Sequence, residues 1–233
     1  MGYDTEDVSK TYFSFYRGKV VRNVTKKPDT PGAQKRTNKE GKDVYELVYP
    51  SYTGHLLDIN VKEGGPYGPE WVLELKDMIS GEVAVLNFPY SSGYTRSFFC
   101  QLPNADLTKA IKFKPAYEEK IVDQKSVSSS KVFLYQDGKP IGWYHKKSEL
   151  NGMPDVEEYV ENRVKKINSG KQMAFFVEMA KDKVAGMKLI AAENRYVIGA
   201  LPNSNPSPNN PDGSDEDDPR FYTDGPGKDD LPF

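Results

Sequence analysis

The sequence is poor in the residues most often used for covalent cross-links and metal sites. It holds one cysteine, Cys100, and two histidines, His55 and His145. A single thiol rules out an intramolecular disulfide and a cysteine-rich zinc site, and two imidazoles leave little for a histidine-based metal centre. No metal or other cofactor is therefore expected. No apolar run approaches the length needed to cross a bilayer, and no basic leader followed by an apolar stretch is read. The expected compartment is a reducing cytoplasm, in a bacterial cell or a phage-infected host, with no membrane association. The linear signatures of phosphate-binding loops, zinc proteases and serine hydrolases are missing as well. Enzymatic activity is not expected, although scattered carboxylates around magnesium leave no linear trace.

The chain does hold many aromatic residues, 12% of 233, and an unequal distribution of charge. The net charge of −2 conceals an acidic segment over residues 202–233, with eight acids and two bases, behind a body that is net +4. Within the body, positive charge is concentrated between Arg17 and Lys39, where eight bases meet the single acid Asp29. Pro28, Pro31, Gly32 and Gly41 in this region predict a long loop over 26–42. Beside an acidic segment, a phosphate-binding role for the loop is favoured over mere solvation.

Most of the body reads as strand. Residues 11–24 are aromatic and β-branched, predicting one strand bent or bulged at Gly18. Residues 44–61 predict a strand pair broken near Pro50 to Gly54, and 64–69 a turn. Residues 71–78 and 82–88 predict a hairpin about Ser80-Gly81, and 131–147 another about Asp137-Gly138. Residues 111–115 alternate apolar and basic, as in a half-exposed strand. Residues 94–100 are compatible with a strand or a short helix.

The helix expected is residues 155–168, where Val156, Tyr159, Val160, Arg163, Val164 and Ile167 recur at helical spacing, with acids early and Lys165 and Lys166 late. Residues 172–179 and 184–192 are open between strand and helix, and 196–200 read as a last strand. The fold class expected is mainly β with one amphipathic helix (α+β). A Greek-key barrel of the oligonucleotide-binding type is favoured, with a β-sandwich giving a similar pattern.

Bases interleave with aromatics at several points: Tyr16, Arg17 and Lys19; Tyr94, Arg96 and Phe98; Lys112 and Lys114 around Phe113; Trp143 and Lys146. An unpaired polynucleotide offers open base faces beside a phosphate chain, so a ring next to a cation meets both. The expected nucleic-acid-binding set is those residues with Arg22, Lys26, Lys27, Lys35, Arg36 and Trp71. Phe13, Phe99 and Phe133 are expected to fill the core instead.

The acidic segment ends Asp229, Asp230, Leu231, Pro232, Phe233. A Pro/Asn/Ser run followed by aspartates cannot bury a core, so 202–233 is expected to be a disordered tail behind a folded domain of residues 1–201. Its apolar tip with a carboxylate is suited to a pocket rimmed by bases. This ending resembles the acidic C-terminal peptide of bacterial and phage single-stranded DNA-binding proteins. The resemblance implies a body that coats single-stranded DNA during replication, recombination or repair, and a tip (Asp229 to Phe233) that recruits replication and repair proteins. A protein-interaction adaptor with a β-barrel body is the alternative.

Overall fold

The computed structural model describes residues 10–38, 40–65, 68–122, 125–161 and 164–199. Ten strands form one sheet: β1 (Thr11–Tyr16), β2 (Lys19–Asn23), β3 (Gln34–Thr37), β4 (Asp43–Tyr49), β5 (Tyr52–Gly65), β6 (Gly68–Asp77), β7 (Val83–Pro89), β8 (Ile111–Val122), β9 (Lys125–Gln136) and β10 (Lys139–Pro140). Helix α1 (Gly93–Gln101) lies between β7 and β8. A separate hairpin, β11 (Glu157–Glu161) and β12 (Val164–Asn168), precedes the long helix α2 (Gly170–Gly199). The chain is mainly β with two α-helices among the described residues. No helix among them is long and apolar enough to cross a membrane.

The strand order is β10-β9-β8-β5-β6-β7-β1-β2-β4-β3. Strands β5, β6 and β7 follow one another antiparallel, and β8 returns beyond α1 to pair antiparallel with the start of β5. Strand β1 adds to the outside of β7 in parallel, and β2, β4 and β3 extend the sheet antiparallel as a wing. Alternation decides which residues enter the core. Leu73 stands opposite Ile59 and Leu86, and Phe13 is opposite Leu86, so these rings and branches share the inner face. Trp71, Leu73, Leu86, Phe88, Phe98, Phe99, Phe113 and Phe176 are at most 1% exposed. Helix α2 closes one side through Met173, Phe176 and Ala180, which recur at helical spacing.

Several expectations change. Residues 11–24 are two strands, because Arg17 (φ 43°) and Gly18 (φ 73°) both sit in the left-handed region and form a two-residue hairpin turn. The basic stretch 26–42 is not one long loop; Gln34–Thr37 pairs with Asp43–Glu46 as the sheet's edge. Residues 155–168 are not a helix. Glu157 to Glu161 pairs in register with Val164 to Asn168, a strand of acids against one carrying Lys165 and Lys166. The register sets Lys165 and Lys166 opposite Val160 and Tyr159, so no acid directly faces a lysine, and it is the β-branched content that favours the strand. Residues 196–199 continue α2 instead of forming a last strand. The turn expected after Asp137-Gly138 is present, but its second strand is only two residues long.

The hairpin β6–β7 and the strand at 111–115 match expectation, as do Phe99 in the core and Phe13 and Phe133 packed against it. Residues 202–233, including the five-residue ending, lie outside the described residues.

Candidate nucleic-acid interface

The wing's outer face brings together residues far apart in sequence. In β1, Tyr12, Ser14 and Tyr16 share one face by alternation, and Tyr16 stands opposite Lys19 across the Arg17-Gly18 turn. The same face continues through Val21 and Val48 to Glu46, whose neighbour in β3 is Gln34, two residues before Arg36. Tyr16, Arg17, Lys19, Lys35, Arg36 and Glu46 thus line an open groove of about 220 Å³.

One unit in this groove is held rigidly. Arg36 donates from Nε and Nη2 to the two oxygens of Glu46, at 3.0 and 2.6 Å, and Glu46 is 7% exposed. That fork fixes the guanidinium plane, which lies over the Tyr16 ring with Cζ 4.4 Å from its centroid. The hydrogen bonds that Arg36 donates to Glu46 raise its pKa above the ordinary value. Arg17 lies 5.9 Å from the Tyr16 centroid and 6.0 Å from that of Tyr117 in β8. Gly18 makes that approach possible: a Cβ there would stand 2.8 Å from the Tyr117 backbone nitrogen. Its N–H donates to Tyr94 Oη at 2.9 Å, tying the turn to α1. Lys35 forms an exposed ion pair with Asp43 at 2.8 Å, weak enough for a phosphate to displace.

Five of the expected residues, Tyr16, Arg17, Lys19, Lys35 and Arg36, are therefore gathered in one groove. Arg22 shares the opposite face with Val20, and Lys26 and Lys27 stand exposed in the β2–β3 connection. Lys112 and Lys114 line a different open cavity of about 570 Å³ with Thr53, Tyr135 and Asp137. Arg96 lies half-buried on α1, and burial pulls its guanidinium below the usual value. Lys146 exchanges backbone hydrogen bonds with Glu149.

Four expected stacking residues are core residues instead. Trp71 (1% exposed) stacks on Tyr90 and donates Nε1–H to its carbonyl at 3.1 Å. Phe98 is fully buried among Phe88, Phe99 and Phe113. Tyr94 is 5% exposed, with its hydroxyl taken by Gly18, and Trp143 is 8% exposed against Phe133. Trp71 is flanked in sequence by Glu70 and Val72, and alternation along β6 turns it to the inner face with Leu73 and Leu75.

Two rings were missed. Tyr12 is 60% exposed on the Tyr16 face, and Tyr117 faces Arg17. The alternation Tyr12-x-Ser14-x-Tyr16 was the available signal for the first. No local signal marks Tyr117, whose position depends on the β1–β2 turn meeting β8. Among the described residues no cluster of metal-ligating side chains occurs. The chain matches no family model, no curated protein and no solved structure.

Proposed function

We propose that the chain binds single-stranded DNA, largely without sequence preference, and that the wing groove is where the strand lies. The observation that carries this reading is the convergence of Tyr16 with Arg17, Lys19, Lys35 and Arg36 on one open face, with Tyr12 exposed beside it. Rings take base faces indifferent to identity, and the cations take phosphates. Arg36 offers a guanidinium plane already immobilised by Glu46, so little side-chain entropy is lost when a base stacks there. The ending at 229–233, which resembles the partner-docking peptide of single-stranded DNA-binding proteins, agrees with this reading and suggests recruitment of replication or repair proteins.

The strand order supports a barrel of the oligonucleotide-binding type. Three antiparallel strands in succession, with a fourth returning beside the first, make the Greek-key order β8-β5-β6-β7. On this reading β5 to β9, with α1 between β7 and β8, are the five barrel strands, and β1 occupies the free side of β7. The face such barrels commonly use is that of the second and third strands, here β6 and β7. Its outer side carries Glu70 and Glu74, and Lys10 is engaged by Glu74 at 2.6 Å. With Lys76 on the same side, acids and bases offset one another there, whereas in the wing groove four bases meet the single acid Glu46, which favours the strand on the wing.

The test is a fluorescence anisotropy titration of labelled oligo-dT at several salt concentrations. Affinity that falls steeply with salt supports the reading. No binding even in dilute buffer refutes it and favours a protein-interaction adaptor, and degradation of the oligonucleotide on adding magnesium would indicate a nuclease. Intrinsic tryptophan emission is a poor reporter, because Trp71 and Trp143 are both buried.

A further inference from the structure

A polar recess of about 200 Å³ opens where the start of α1 meets the edge of β9, lined by Arg96, Ser128, Ser129, Ser130, Lys131 and Trp143. No acidic side chain lines it, in contrast to the wing groove with Glu46 and the Lys112 cavity with Asp137. We propose that this recess binds a phosphodiester of the same single strand, beyond the segment held in the wing groove. The inference rests on the single-strand reading and extends its footprint.

The donors are arranged by the way α1 covers β9. Val132 N–H donates to Ser97 Oγ at 2.7 Å, Leu134 N–H donates to Gln101 Oε1 at 3.0 Å, and Gln101 Nε2 donates to the Val132 carbonyl at 2.8 Å. Two side chains of α1 thus stand in for a neighbouring strand along 132–134. By the two-residue alternation of a strand, Ser128 and Ser130 turn their backbone groups to that same edge, where α1 begins beside Ser130 and does not reach Ser128. Gly93, the first residue of α1, lies so close that a Cβ would stand 2.0 Å from the Ser130 carbonyl oxygen, so only glycine brings the helix start to this edge. The recess therefore combines three hydroxyls, strand-edge N–H groups, an arginine and a lysine.

Both cations are partly withdrawn from water. Burial pulls Arg96 and Lys131 below their ordinary values, and Lys120 adds to the effect on Lys131. Glu118 partly offsets the Lys131 ammonium through space, but its carboxylate is ion-paired with Lys120 at 2.9 Å. A phosphate oxygen in the recess would add counter-charge where solvent screens it less than at an open surface.

The recess is reached directly from the groove. Arg17, on the groove, is 6.0 Å from the Tyr117 ring, and Tyr117 stands opposite Ser130 on the neighbouring strand. One strand spacing, about 4.8 Å, thus separates Tyr117 from a lining residue of the recess.

The test compares oligo-dT of about four nucleotides with oligo-dT of about twelve, within the range covered by one such barrel. Lys131→Gln is expected to weaken the long oligonucleotide about three- to tenfold and reduce its salt slope by about 0.7, leaving the short one unchanged. Ser129→Asp, at an exposed edge position, places a carboxylate in the recess and gives the same pattern independently of Lys131. If both variants leave the long oligonucleotide unaffected while Tyr16→Ala weakens both lengths, the recess is overturned and the groove stands. Equal loss at both lengths also overturns it. If the unmodified protein binds neither length, the groove reading fails and this inference fails with it.

Discussion

Replacing Tyr16 by alanine separates stacking from charge in the wing groove. The ring is 38% exposed, and one face is covered by the Arg36 guanidinium at 4.4 Å, so at most one face remains for a base. One stacked base contributes about 1–3 kcal/mol. At about 1.4 kcal/mol per tenfold, Tyr16→Ala is expected to weaken oligo-dT about 5- to 150-fold. The fold should survive, since the exposed cation–ring contact is worth about 0.5–1 kcal/mol. Because the ring carries no charge, the slope of log affinity against log salt should not change. Arg17→Ala and Lys19→Ala should each lower that slope by about 0.7, the value for one phosphate contact on a single strand. Tyr16→Phe should keep nearly full affinity, because stacking needs the ring and not the hydroxyl. Anisotropy titrations of the four variants at three or more salt concentrations provide both quantities. Unchanged affinity for Tyr16→Ala would refute the stacking role, and a slope change like that of the lysine variant would show that its effect is electrostatic.

Other consequences concern the frame around the groove. Arg36→Ala leaves the Glu46 carboxylate, 9% exposed as a side chain, without its fork; with Arg36 itself one-third exposed, a loss of about 1–3 kcal/mol is expected, below the cost for a fully buried pair. The double variant Arg36→Met with Glu46→Leu should recover most of this in urea unfolding, and no recovery would mean that the pair is itself strongly stabilising. Asp77 is held below its ordinary carboxylate pKa chiefly by the Ser80 N–H, with Tyr52 and Ile79 also donating. Its contribution to stability is present above the unfolded value of 3.8 and lost as pH falls through the depressed folded value. The melting-temperature difference between wild type and Asp77→Asn should accordingly shrink on acidification through that range. Burial pushes the Cys100 thiol up to about 12, so a thiol reagent at neutral pH should label it only after denaturant is added.

Turn chemistry made several elements legible in the sequence. Ser80-Gly81 and Asp137-Gly138 fall between apolar runs at hairpin spacing, and both turns are present. Gly18 carried an equally local signal, but a glycine inside an aromatic and β-branched run fits a bulge as well as a turn; the backbone places Arg17 itself in the left-handed region. Residues 155–168 misled because their apolar positions satisfy helical spacing while Val156, Val160, Val164 and Ile167 favour strands. A short segment with both properties is decided by what it pairs with, here its own second half.

The amino-acid sequence alone determined the charge division, the strand-rich character, the scarcity of cysteine and histidine, and the concentration of cations near Tyr16. These depend on residue types and short spacings, which a linear reading contains. Only the tertiary structure decided that Trp71, Tyr94, Phe98 and Trp143 are core residues, that Tyr12 is exposed, and that Tyr117 meets Arg17. The face an aromatic presents depends on strand register, a one-residue shift reverses it, and register is set by partners as remote as β1 from β7 and Gly18 from Tyr117.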